Sequence, residues 1–188
     1  MSTITAPANL TGSYTIDPSH SRIGFVARHA MVTKVRGNFN EFEGTGYFDA
    51  TQPGNSRVEL AITADSIDTR NADRDAHLKS NDFFDMDNHP QIRFVSTAVE
   101  QIDAENYRVT GDLTIKDVTK SVTVDFEYTG TAVDPYGNAR IGLEGATKVN
   151  RKDWGLNWNA ALEAGGVLVS EKVTLEFEVS AIRTNDAD

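Results

Sequence analysis

Apolar and polar residues alternate with a period of two along most of this chain. Val122, Val124, Phe126 and Tyr128 alternate with Thr123, Asp125 and Glu127, and Val173, Leu175, Phe177, Val179 and Ala181 alternate with Thr174, Glu176, Glu178 and Ser180. Tyr107, Val109, Leu113 and Ile115 follow the same rule, as do Val58, Leu60, Ile62 and Ala64. Successive strand side chains point to opposite faces, so each segment has one dry face and one wet face. This predicts antiparallel strands, because parallel strands covered on both faces read as unbroken apolar runs. Ile23, Phe25 and Ala27 share a face, and so do Ile92 and Phe94, although Val26 and Val95 blur the opposite side. Parity changes between Phe39 and Phe42, which predicts a bulge or bend there. Ile141 and Leu143, between Arg140 and Glu144, mark a late strand.

Turn residues separate these runs at Asp103 to Asn106, around Asp117, and at Asp134 to Asn138. The matches amount to about eight strands. Asn71 to Ser80 breaks the pattern: it offers an N-cap, early acidic residues and no β-branched residue, so it predicts a short helix. Lys152 to Ser170, with its two Trp and the Gly165-Gly166 pair, reads as loop with a helical turn. No linker or repeat divides the chain, so we expect one all-β domain over 13–183 between tails 1–12 and 184–188. A sandwich and a closed barrel both satisfy eight such strands; long runs such as Glu171 to Ile182 favour the barrel. A barrel of this size either fills its interior with side chains or holds one small ligand.

Composition narrows the function. The chain has 188 residues, with 18 Lys+Arg against 28 Asp+Glu and a net charge of −10. On average that acidity disfavours nucleic acid and anionic membrane surfaces as partners, since both are bound by clustered cations. Without cysteine there is no disulfide framework, thiolate metal site or thiol nucleophile. Residues 1–10 show neither a basic start nor an apolar run, and no stretch approaches the ~20 apolar residues of a spanning helix. The expectation is a soluble, cytoplasmic protein that starts at Met1.

The four histidines, His20, His29, His77 and His89, show no metal-ligand spacing. His29 has the parity of Ile23 and Phe25 and so ends the inward face. His20 follows Pro18 in a turn. Arg74 and His77 share a face of the expected helix, with Asp73 placed to orient the imidazole. They suit either an anionic or polar head group at a pocket mouth or the pinning of the helix to the sheet. No nucleophile elbow, phosphate loop or dinucleotide glycine pattern occurs.

The residues then line up with a known family. Tyr14, Ile16, Asp17, His20, Ser21, Ile23 and Phe25 form one stretch, followed by Val35, Gly37, Phe39, Phe42 and Gly44. Ser66, Ile67 and Thr69 lead into Arg74, Asp75, His77, Leu78, Ser80, Asp82, Phe83 and Phe84, and then Pro90, Ile92, Phe94 and Ser96. Gly111, Leu113, Thr114 and Ile115, and finally Asn150, Arg151, Asp153, Trp154 and Gly155, complete the order. In this the chain resembles the YceI-like proteins, lipocalin-like binders of polyisoprenoid and related long-chain lipids, from about Ser13 to Arg183. The resemblance implies an eight-stranded antiparallel barrel holding a lipid tail, a packed helix, frequent homodimers, and no metal or nucleotide. Asp117 and Ser121 stand where relatives often have Gly and Pro, and Trp154 replaces a frequent Phe and reshapes the cavity if it points inward. Many relatives carry an export signal that this chain does not show.

The residues expected against a lipid tail are Ile23, Phe25, Phe39, Phe48, Leu60, Ile62, Phe84, Phe94, Leu113, Ile115, Phe126, Leu143, Trp154 and Leu175. His29, Arg74 and His77 are the head-group candidates. The expected function is non-catalytic binding, transport or storage of a polyisoprenoid or other long-chain amphiphile. The alternative is an enzyme acting on such a molecule in the barrel, with His29 or His77 as acid-base residue.

Overall fold

The computed structural model describes residues 10–162 and 166–184. The strands are β1 (Gly12–Ile16), β2 (Arg22–His29), β3 (Thr33–Phe39), β4 (Phe42–Phe48), β5 (Arg57–Thr63), β6 (Ile67–Asp68), β7 (Gln91–Gln101), β8 (Asn106–Ile115), β9 (Val118–Val133), β10 (Ala139–Asn150) and β11 (Lys172–Thr184), with one helix, α1 (Ala72–Lys79). Every pairing between strands is antiparallel. The order β1-β4-β5-β7-β8-β9-β10-β11 returns to β1, which closes an eight-stranded barrel. Among the described residues, no helix is long and apolar enough to cross a membrane.

The eight strands expected from alternation and the eleven segments observed are the same object. Three strands are bent. Pro18 lacks an amide proton and cannot stay in a ladder, so β1 and β2 are separated by a 3-10 turn over Pro18–His20, capped by Asp17 accepting from Ser19 N. β3 and β4 break at Asn40 and Glu41, where parity changes, and Phe39 and Phe42 are both buried. β5 and β6 are parted by the turn Ala64–Ser66.

Two strands run on through bulges. On β9, Gly142 faces Gly130 but Leu143 faces Tyr128, so Thr129 is the extra residue and the strand continues to Val133. On β7, Thr97 is the extra residue between Ser96 and Ala98, so Val99 takes over the inward parity of Ile92 and Phe94. The late strand is longer than Arg140 to Glu144: β10 runs to Asn150, because Gly145 and Ala146 hide its alternation.

The hairpin at one end of the barrel, Pro53 to Asn55, meets the start of the chain. Leu10, assigned by sequence to a tail, is buried there with Ala50, against Phe48, Tyr128 and Ile141. A single leucine after a Pro- and Ala-containing stretch has no periodic context to mark it. Residues 1–9, the 185–188 part of the expected C-terminal tail and Gly165 of the glycine pair lie outside the described residues. At the other end, α1 is joined by Phe83, Phe84, Trp154 and Leu156, all packed into the main core. Asn71 caps α1 by accepting from Arg74 N at 2.9 Å.

On the outer surface, Arg140 joins the bend between β1 and β2 to the β9–β10 turn. Its Nη1 donates to Asp17 at 2.7 Å and its Nε to Asp134 at 2.8 Å. These bonds, with the turn amides and hydroxyls, hold both carboxyls well below the usual carboxylate range. A carboxylate depressed in the folded state stabilises above its unfolded pKa, and that contribution is lost as pH falls through the folded pKa. Arg140→Met should therefore move the acid-unfolding midpoint to higher pH while changing stability at high salt less, as read by circular dichroism across pH. An unchanged acid midpoint would show that the two carboxylates are held by their turns alone.

Candidate functional site

Closing the ring brings the apolar face of every strand onto one axis. The side chains leave a cavity of about 310 Å³ along it. All the residues expected against a tail, from Ile23 through Leu175, line this cavity. Its wall is almost wholly hydrocarbon; Tyr14, for instance, lines it with its ring while its hydroxyl donates to Leu10 O at 2.7 Å. A dry engineered cavity of ~150 Å³ is enough to hold benzene, and ligand pockets begin at ~300 Å³, so the space is of ligand size.

The rings that would otherwise obstruct the lumen lie against its wall. A Cβ on Gly37 would sit 2.2 Å from the Phe25 ring, one on Gly111 2.4 Å from Phe94, and one on Gly145 2.8 Å from Phe126. Each phenylalanine therefore covers a glycine on a neighbouring strand, flat on the sheet. Trp154 does point inward. It is 2% exposed and its Nε1 donates to Leu113 O at 2.9 Å, so it floors the helix end of the cavity instead of crossing it.

The three head-group candidates sit elsewhere. None of His29, Arg74 and His77 lines the cavity. Arg74 is turned onto Thr69, donating from Nε to Oγ1 at 2.7 Å and from Nη2 to the carbonyl at 2.6 Å. Asp75 accepts from the same threonine's amide at 2.9 Å, so the two side chains pin the start of α1. His77 does not pair with Asp73 as the helical spacing suggests. Its Nε2 meets Asp82 at 2.8 Å, and its ring packs edge-on to Trp158 and Phe83. The turn after α1 brings Asp82 back onto the imidazole, a contact that helical spacing does not register. His29 keeps the inward parity but lies exposed beyond the barrel, its backbone bridged to Val169. His29 and Arg74 instead share a shallow basic depression with Lys34, Arg36 and Arg70. His20 is bonded to Asp17 and Ser19, within its own turn.

Sequence reasoning gave Arg151 no role. It is 6% exposed, and it donates from Nε to Ser170 O, from Nη1 to Leu156 O and from Nη2 to Val169 O. Its guanidinium lies over Phe83, and burial pushes its pKa down. One side chain thus fastens the segment after β10 beside the cavity, where Val169 and Leu156 form part of the wall. An isolated arginine next to a turn carries no periodic signal of that task.

A closed antiparallel barrel with a hydrocarbon-walled lumen defines a lipocalin-like barrel. The model of the YceI-like domain matches residues 14–181, and the chain belongs to that family. A UPF0312 protein of Staphylococcus aureus is 37% identical over 170 residues, 90% of this chain and 95% of its own. Among solved structures, the Campylobacter jejuni YCEI protein superposes with a TM-score of 0.72 at 28% identity, over 84% of this chain and 90% of its own. A polyisoprenoid binding domain from Saccharophagus degradans superposes with a TM-score of 0.67 over 91% of this chain and 98% of its own; at 13% identity that is a likeness of fold.

The glycine-backed rings make a prediction. Gly37→Val should lift Phe25 off the wall into the lumen, costing roughly 1–3 kcal/mol as other overpacked cores do. The melting temperature should fall by about 2–4 °C per kcal/mol, measured by calorimetry. An unchanged melting temperature would show that the ring has room to move aside.

Proposed function

We propose that this protein binds a polyisoprenoid or another long-chain amphiphilic lipid inside the barrel, without catalysis, for transport or storage. The observation that carries this reading is the continuous hydrocarbon wall of a ligand-sized cavity. A polar ligand would find almost no partner there, whereas each methylene brought out of water contributes ~0.8 kcal/mol. Ten methylenes then give about 8 kcal/mol before ordering costs, near micromolar affinity. The Saccharophagus domain of the same fold is a polyisoprenoid binding domain, which supports the ligand class. The non-catalytic reading draws support from the positions of His29 and His77, the acid-base candidates, outside the cavity wall. In this reading the tail residues named from sequence contact the lipid. Arg74 acts as a helix anchor, and the head group remains outside the lumen.

Native mass spectrometry of the purified protein, followed by lipid extraction, tests the reading; the expected result is a co-purifying long-chain lipid. Phe126→Arg, which places a charge on the apolar wall, should lose that lipid or fail to fold. Full lipid loading and unchanged stability in that variant would refute the binding site.

We also read the protein as a homodimer, on family resemblance. Sedimentation as a monomer at tens of micromolar, a range that captures weak specific interfaces, would remove that reading.

A further inference from the structure

Charge is not evenly spread over this acidic chain. Between Asp17 and Glu41 there is no carboxylate, while Arg22, Arg28, Lys34 and Arg36 all fall there. Most of that stretch forms the β2–β3 hairpin, and its tip is apolar: Met31 is 62% exposed and Val32 74%. The turn is formed by Ala30 and Met31 at φ 51° and 61°, with Val32 N donating to His29 O. Such a turn favours Asn-Gly, and two consecutive non-glycine residues in left-handed backbone are strained. Here the turn leaves Val32 out in water and lays the half-exposed Met31 with its sulfur over Gly166.

Cations surround the tip. Arg28 and Lys34 flank it on the hairpin, and Arg70 and Arg74 face Lys34 and Arg36 across the basic depression. Among the described residues, Arg28, Lys34, Arg70 and Arg74 have no carboxylate within salt-bridge distance. Of the carboxylates nearby, Asp68 accepts from Arg70 N and Asn40, Asp75 accepts from Thr69, and Glu176 lies 3.6 Å from Arg22 and 4.0 Å from Arg36. The tip also adjoins the lumen. Ala30 N donates to Leu168 O and His29 bridges Val169, while Ala27 and Val169 belong to the cavity wall.

We infer that the β2–β3 hairpin tip docks on an anionic lipid bilayer, with Met31 and Val32 entering the interface and the surrounding cations on the lipid phosphates. Exposed apolar residues ringed by cations match the two layers of such an interface, hydrocarbon beneath negative head groups. The local surface selects the bilayer: clustered cations for lipid phosphates lie beside an apolar tip for the hydrocarbon beneath them, the two-layer chemistry of a membrane interface. The chain-average charge hides this local reversal of sign. The purpose of docking rests on the lipid-binding reading: a tail passes between bilayer and lumen along Ala27 and Val169.

The test is co-sedimentation of the full chain with vesicles of phosphatidylcholine alone and of phosphatidylcholine containing about 30% phosphatidylglycerol, at low and high salt. Wild type should bind the anionic vesicles, and less as salt rises. Each surface cation contributes roughly fivefold in partition, so Lys34→Glu combined with Arg36→Glu should weaken binding at least tenfold. Val32→Asp should do the same, with unchanged melting temperature because the residue is exposed. Equal binding of both variants and wild type, or no preference for anionic vesicles, overturns the inference. So does self-association of wild type that Val32→Asp abolishes without any vesicle binding, which would make a second copy the occupant. Native mass spectrometry on the same samples separates the two proposals. Retained lipid without vesicle binding sinks only the docking, and vesicle binding without retained lipid sinks only the cavity reading.

Discussion

The fold depends on how one strand edge is divided. β11 pairs with β10 along one side for most of its length; its other side is shared. From Ala181 to Thr184 it takes β1, and from Thr174 to Glu178 it takes β2. The first pairing closes the ring. The second carries the β2–β3 hairpin past the closed part, so one end of the barrel is sealed by short hairpins and Leu10 while the other is extended on one side. The switch falls at Pro18–His20, where the missing proline amide forces the chain out of the ladder and Asp17 and Arg140 hold the corner. The closed ring and the overhanging basic hairpin follow from that one bend.

The lumen survives for a related reason. Eight strands set the circumference, and the ladder bonds around the ring prevent it from shrinking onto a smaller core. Large inward side chains would still fill the space if they pointed at the axis. Phe25, Phe94 and Phe126 do not, because each has a glycine beneath its ring on an adjacent strand. Glycine weakens a strand locally, yet here it stores the bulk of a phenyl ring in the wall and leaves the axis clear.

Strand identity and inward faces were legible in the sequence because alternation is a local signal. The bend between Phe39 and Phe42 was legible for the same reason, as a break in parity. The bulge at Thr97 was not, because one extra residue among Val95, Thr97 and Val99 still reads as β-rich sequence while exchanging the faces. The strand-borne part of the cavity wall could be named from parity, whereas Phe84 and Trp154 reach it from turns that parity does not describe. The polar candidates could not be placed that way. Arg74, His77 and Arg151 find their partners through turns: Thr69 ahead of α1, Asp82 behind it, and the carbonyls of Leu156, Val169 and Ser170. No spacing rule encodes contacts made by a chain that doubles back through irregular backbone.

Fold and binding are thereby linked energetically. A lumen of about 310 Å³ that no side chain fills forfeits dispersion contacts worth about 7 kcal/mol at the ~24 cal/mol per Å³ found for engineered cavities. That is comparable with the ~5–15 kcal/mol by which a whole domain is stable. The ladder that holds the ring open therefore carries a deficit that better packing would remove. An apolar tail recovers those contacts and needs no polar partner to do so, so the wall can be selective for length and bulk while remaining indifferent to the head group. On the proposed reading, recognition of a head group falls to what lies outside the lumen, where among the described residues Arg28, Lys34 and Arg70 have no carboxylate within salt-bridge distance. Division of labour between an apolar lumen and a charged rim is the physical consequence of a barrel whose core was kept incomplete.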